Sequence, residues 1–251
     1  WVTDYNNGLV GFSDAQLAAS GSVPQPFVVL TDTTRGFAGP TDVAFDASGN
    51  AWVVEAWTEN LVMYTPAMLA TSGSPTPAIR IGSAGPAPRR VHGGTSSMAI
   101  SAQFIPVRAN LETPMVAAFD AHGNLWVGNY GGAKITAYAP AQLSTSADPA
   151  PSVTLTGAIA YPVGMAFDRA GNLWVSDDDD YSVSRLDASL LAASATVMAS
   201  VKLESSDFNG PQQIVFDQWV AAPTPPLVQT SRTQQERAVA SAPWSALRRQ
   251  R

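Results

Sequence analysis

The chain has 251 residues, of which 45% are hydrophobic and only 14% charged, with 19 glycines, 19 prolines, no cysteine and a net charge of −6. This length supports one large all-β domain, and the glycine and proline content suits many short strands joined by turns. Without cysteine there is no disulfide, no thiolate metal site and no cysteine nucleophile, and no run of 18 apolar residues marks a membrane-crossing helix.

The charge is uneven. The stretch 219–251 carries five arginines and one acid, Glu236, which leaves nine basic and nineteen acidic side chains in 1–218. An acidic body repels nucleic acid and leaves cations, small molecules, glycans or other proteins as partners. The chain opens at Trp1 without a signal peptide, so a processed or truncated N-terminus is expected. The lack of cysteine favours an extracellular or periplasmic location.

Taken in chain order, the sequence is a repeat met part-way through. WVTDYNNGLVGFSDAQL from Trp1 is the latter part of one copy. Three long copies follow, from Gly39, Thr113 and Tyr161, and align without gaps on P-x-x-x-A-F-D-x-x-G-N-x-W-V and on through the next strand. The stretch 81–111 matches no copy. A last copy begins as GPQQIVFD from Gly210 and stops near Asp217. The repeated aspartates set the period: the step is 48 from Asp120 to Asp168 and 49 from Asp168 to Asp217. From Asp46 to Asp120 the step is 74, about 26 more than the period.

Each copy reads as four strands. A short apolar strand such as Val163–Phe167 enters D-x-x-G-N, a hairpin turn whose Asp accepts from the N–H two residues on and whose Gly takes positive φ. N-L-W-V is the second strand, its Trp filling space between neighbouring sheets. Alternation over Lys134–Tyr138 marks the third, and the fourth, after Pro151, carries proline where an outer edge tolerates it. A four-stranded unit cannot bury both faces alone, whereas radial stacking covers them. The expected fold class is therefore an all-β β-propeller of four-stranded blades, about four of them, either closed into a ring by the 210–217 strand completing the first blade or forming part of a six-bladed ring. The expected domains are a propeller over 1–218, with an insertion at 81–111, and a basic irregular tail over 219–251.

The motif, with its downstream Y-x-P-A-x-L and S-G-S-P-T-P-A, resembles bacterial NHL-type propeller repeats near the gluconolactonase-like and streptogramin-lyase-like propellers. The resemblance covers roughly Trp1–Asp217 outside the insertion. It implies the fold and leaves function open, since such repeats host enzymes and plain binding scaffolds alike.

The candidate site positions lie three residues after each blade tryptophan: Asp4, Glu55, Asn129 and Asp177. One oxygen-bearing side chain per blade near one axis would suit Ca²⁺, and the resemblance implies a central metal held by carboxylates and an Asn. The alternative is that each caps its following turn. The run Asp177–Asp180 lacks calcium-loop spacing and reads as a solvated turn. His122 falls on an exposed turn of the opposite face. Only His92, in the insertion, could pair with Glu55 in a lyase-like role, and no motif supports that pairing. No Ser-His-Asp arrangement, phosphate loop or zinc spacing occurs. The expectation is a monomeric binding scaffold using one acidic, loop-rich face. A metal-dependent lactonase- or lyase-like enzyme with a central-channel site and a truncated or inactive gene product are the alternatives.

Overall fold

In the D-x-x-G-N turns, one carboxylate organises the whole hairpin. Asp120 Oδ1 accepts from the N–H groups of His122 (2.8 Å) and Asn124 (2.9 Å), and Oδ2 accepts from Asn124 Nδ2 (2.7 Å) and Trp126 Nε1 (3.0 Å). Asp46 and Asp168 repeat all four bonds. Gly49, Gly123 and Gly171 sit at φ 78°, 79° and 80°, the left-handed conformation that glycine adopts without strain. Burial pushes the three carboxyls up, but the bonds from Asn, Trp and backbone outweigh it and hold all of them low, Asp168 at about 2.

The computed structural model describes residues 1–4, 8–18, 25–31, 39–82, 110–205, 208 and 210–216. The strands these turns join form four sheets. The first holds β1 (Val2–Asp4), β2 (Gly8–Gly11) and β3 (Val28–Leu30). The second holds β4 (Pro40–Phe45), β5 (Ala51–Glu55), β6 (Asn60–Tyr64) and β7 (Ile79–Gly82). The third consists of β8 (Pro114–Phe119), β9 (Leu125–Asn129), β10 (Lys134–Tyr138) and β11 (Val153–Thr156). The fourth consists of β12 (Pro162–Phe167), β13 (Leu173–Asp177), β14 (Ser182–Leu186) and β16 (Val201–Glu204). The two-residue β15 (Ala195–Thr196) leaves the fourth unit to run parallel to β11 at the outer edge of the third. Within each four-stranded or three-stranded unit the strands are antiparallel and follow chain order. The chain is an all-β propeller of about four blades.

The blades join by a repeated set of contacts. Each blade tryptophan meets the phenylalanine that ends the next unit's first strand: Trp1 with Phe45, Trp52 with Phe119 and Trp126 with Phe167, at centroid separations of 6.1–6.4 Å. Ring pairs of this kind add to the burial of both rings. At the outer rim, a serine hydroxyl from the following unit accepts the N–H of the fourth strand: Ser72 from Val29 (3.0 Å), Ser146 from Arg80 (3.1 Å) and Ser194 from Thr154 (2.9 Å). These bonds cap the edge N–H groups that an open sheet leaves unpaired. The core lies between sheets, in clusters that draw on two neighbouring blades, such as Trp52, Leu61 and Ile81 with Leu125, Val127 and Tyr138.

The segment 210–216 does not complete the first sheet, which has three strands. It lies instead against the fourth blade. Phe216 takes the T-shaped place on Trp174 at 6.0 Å, and Ser176 Oγ donates to Gln212 O at 3.4 Å. The closing pairing is therefore not made. β7 ends at Gly82 and β8 begins at Pro114, so most of the 81–111 stretch, with His92, lies outside the described residues. The 219–251 tail also lies outside them.

Candidate functional site

The links that enter the third and fourth blades carry N–H groups outside the strand ladders, and the end of each blade's second strand lies beside them. Buried Asn129, closing β9, accepts from the N–H of Glu112 through Oδ1 (3.0 Å). Its Nδ2 donates to Val127 O (3.2 Å) and Thr136 Oγ1 (3.0 Å). Buried Asp177, closing β13, accepts from Ala160 N–H (2.7 Å) and Asp179 N–H (3.0 Å), and both its oxygens lie 3.3 Å from Tyr161 N. Buried Glu55, closing β5, accepts from Thr58 Oγ1 (2.7 Å) and forms an ion pair with Arg80 of β7 (2.9 Å). Asp4 ends β1 opposite Gly8.

These bonds satisfy groups that would otherwise be buried without partners. Glu55, Asn129 and Asp177 are each held within their own blade, and these bonds bring no two of them together. Among the described residues, no three His, Cys, Asp or Glu side chains form a group able to hold a metal ion. His122 is exposed on the D-x-x-G-N turn.

Beyond Asp177 the acidic run opens outward, with Asp178 half-buried and Asp179 and Asp180 exposed. Asp180 is tied to Lys202 (2.5 Å) and to Ser182. Burial pushes its carboxyl up, but these two partners win and hold it low.

Sequence reasoning missed the aromatic side chains of the same face. Tyr130, directly after Asn129, packs on Tyr161 at the entry to the fourth blade, with centroids 4.5 Å apart and planes tilted by 46°. Burial, and then the charges of Asp178, Tyr161, Asp179 and Asp177, push the Tyr130 phenol up. Trp57, two residues after Glu55, is exposed and lies over Gly39, where an added Cβ would meet the indole at 2.9 Å. Aromatic residues one or two positions after a candidate polar residue were the signal available in the sequence. The face thus combines tyrosine rings with carboxylates at the junction of the third and fourth blades. That combination suits cations and sugar rings.

No family model and no curated protein sequence matches the chain. Solved structures similar to it include hydrazine synthase of Kuenenia stuttgartiensis, at 11% identity and a TM-score of 0.44, covering 72% of this chain and 39% of that one. Virginiamycin B lyase from Staphylococcus aureus is 15% identical with a TM-score of 0.43, covering 72% and 46%. A structure of YCF48 bound to D1 peptide is 14% identical with a TM-score of 0.38, covering 70% and 43%. The chain spans less than half the length of each of these three structures.

Proposed function

We propose that the chain is a binding scaffold, acting outside the cytoplasm, whose partner meets the face formed by the turns after the second strands. The observation that supports this reading is the division of labour on that face. Glu55, Asn129 and Asp177 fasten their own blades, while Tyr130, Tyr161, Asp178 and Asp179 lie at the blade junction beyond them. Rings flanked by carboxylates favour a cationic or sugar-bearing partner, through cation–π contact and charge complementarity or through stacking. The acidic balance of the stretch 1–218 points the same way.

Calorimetric titration with a tetra-arginine peptide and with a neutral oligosaccharide tests the reading. Saturable binding of either probe, lost in Tyr130→Ala with the melting temperature preserved, is expected. Binding of neither probe, or binding that Tyr130→Ala leaves unchanged, would overturn it.

A further inference from the structure

The Tyr130–Tyr161 pair stands beside negative charge that the described cations do not neutralise. Arg80 pairs with Glu55, Lys134 with Glu112 and Arg185 with Asp187, while Lys202 is shared by Asp180 and Glu204. Among the described residues, no ion pair reaches Asp178 or Asp179. Asp178 accepts one long bond from Gln212 (3.4 Å), and Asp179 is exposed. After burial, the Asp178 charge does most to push the Tyr130 phenol up, and Asp179 adds to it. The carboxylates and the ring therefore share one electrostatic environment.

Backbone bonds set the rings and charges in place. Tyr130 N–H donates to Thr113 O (3.1 Å), and Asp178 N–H donates to Tyr161 O (3.1 Å). The two rings pack with centroids 4.5 Å apart, and both remain half-buried rather than enclosed. Gly131 and Gly132 follow Tyr130 and add no side chain to the turn. A partner meets these groups already arranged, so little conformational freedom is lost on binding.

Three kinds of partner group can be weighed against this arrangement. A neutral sugar would stack on a ring but leave the carboxylates without a counter-charge. A lysine ammonium is a compact, strongly hydrated point charge. A guanidinium is planar and less hydrated, so it can lie on a ring face while its forked N–H groups reach carboxylates. Within the binding-face reading, on which this depends, we propose that the junction receives an arginine side chain of a basic polypeptide. Its guanidinium lies on Tyr130, and its N–H groups donate to Asp178 and Asp179.

Calorimetric titration of the full chain with tetra-arginine, tetra-lysine and a neutral oligosaccharide tests the assignment. Tetra-arginine should bind several-fold tighter than tetra-lysine. Tyr130→Phe should keep that affinity, because the ring face makes the contact, whereas Tyr130→Ala should weaken it by about fivefold or more. An Asp178→Asn/Asp179→Asn double variant should weaken tetra-arginine binding and flatten its salt dependence, with the melting temperature preserved. Equal affinity for the two basic peptides, or tetra-arginine binding indifferent to Tyr130→Ala or to the double variant, would overturn the proposal. Oligosaccharide binding that requires Tyr130, with no binding of tetra-arginine, would overturn the arginine assignment and leave the binding face standing. Binding of neither probe would overturn both.

Discussion

Replacing Asp120 by alanine removes the acceptor for four bonds at once, and their environments set the size of the effect. The N–H of His122 is exposed and regains water, so its loss contributes little. The Asn124 bonds are part-buried, and their loss costs about 1 kcal/mol net. The indole N–H of Trp126 is the decisive term. Trp126 is 2% exposed, so its donor is left unpaired at about 1–3 kcal/mol. The sum is about 3 kcal/mol, or a melting temperature roughly 6–12 °C lower for a domain of this size. Denaturant unfolding of Asp120→Ala beside His122→Ala is the appropriate assay. The histidine is exposed on the same turn, and its removal should change stability by less than about 0.5 kcal/mol. Asp168→Ala should lie between the two, because Trp174 is less completely buried than Trp126. A loss below about 1 kcal/mol for Asp120→Ala, or one equal to that of His122→Ala, would refute the argument that the carboxylate organises the blade hairpin.

Two further outcomes follow from the same bonds. Asp177→Ala strips the acceptor from Ala160, Tyr161 and Asp179 and should lower the melting temperature equally with and without calcium. A calcium-dependent rise in the unmodified chain that this variant loses would instead favour a metal role for Asp177. Acid should unfold the chain as the turn aspartates protonate. Their folded pKa values lie below the ordinary 3.8, so the stability they confer is complete above that value and is lost as pH falls toward about 2, the folded value of Asp168. Asp42 has the opposite sign. Burial raises its carboxyl despite bonds from Ala117 and Val43, so its ionisation opposes folding as pH rises. Asp42→Asn should therefore raise the melting temperature at neutral pH and have little effect in acid. A melting temperature flat from pH 6 to pH 2, or an Asp42→Asn effect larger in acid, would contradict these signs.

The blade was legible because its determinants are local. The turn glycines, the bond to the N–H two residues on and the alternation of Lys134–Tyr138 all act over short stretches of chain, and each recurs. The rim serines were harder to read. Ser72, Ser146 and Ser194 bond to strands far away in the chain, and nothing beside them in sequence marks a partner. Their recurrence at one repeat position was the only trace. Ring closure was misleading for a related reason. The segment 210–216 has the composition of a first strand, but the Trp174–Phe216 contact and the Ser176 bond place it against the fourth blade, and sequence complementarity does not say which surface it meets. For Glu55, Asn129 and Asp177, the period located the positions but not the direction of each side chain. That direction depends on the unpaired N–H groups of the entering link in Asn129 and Asp177, and on Arg80 in Glu55.

Hydrogen exchange on the chain saturated with the tetra-arginine peptide tests the binding-face reading most directly. Protection is expected at 130–133, 158–161 and 178–181, with the 120–124 turn on the opposite face unchanged. Protection centred on 120–124, or none at the junction of the third and fourth blades, would contradict the account.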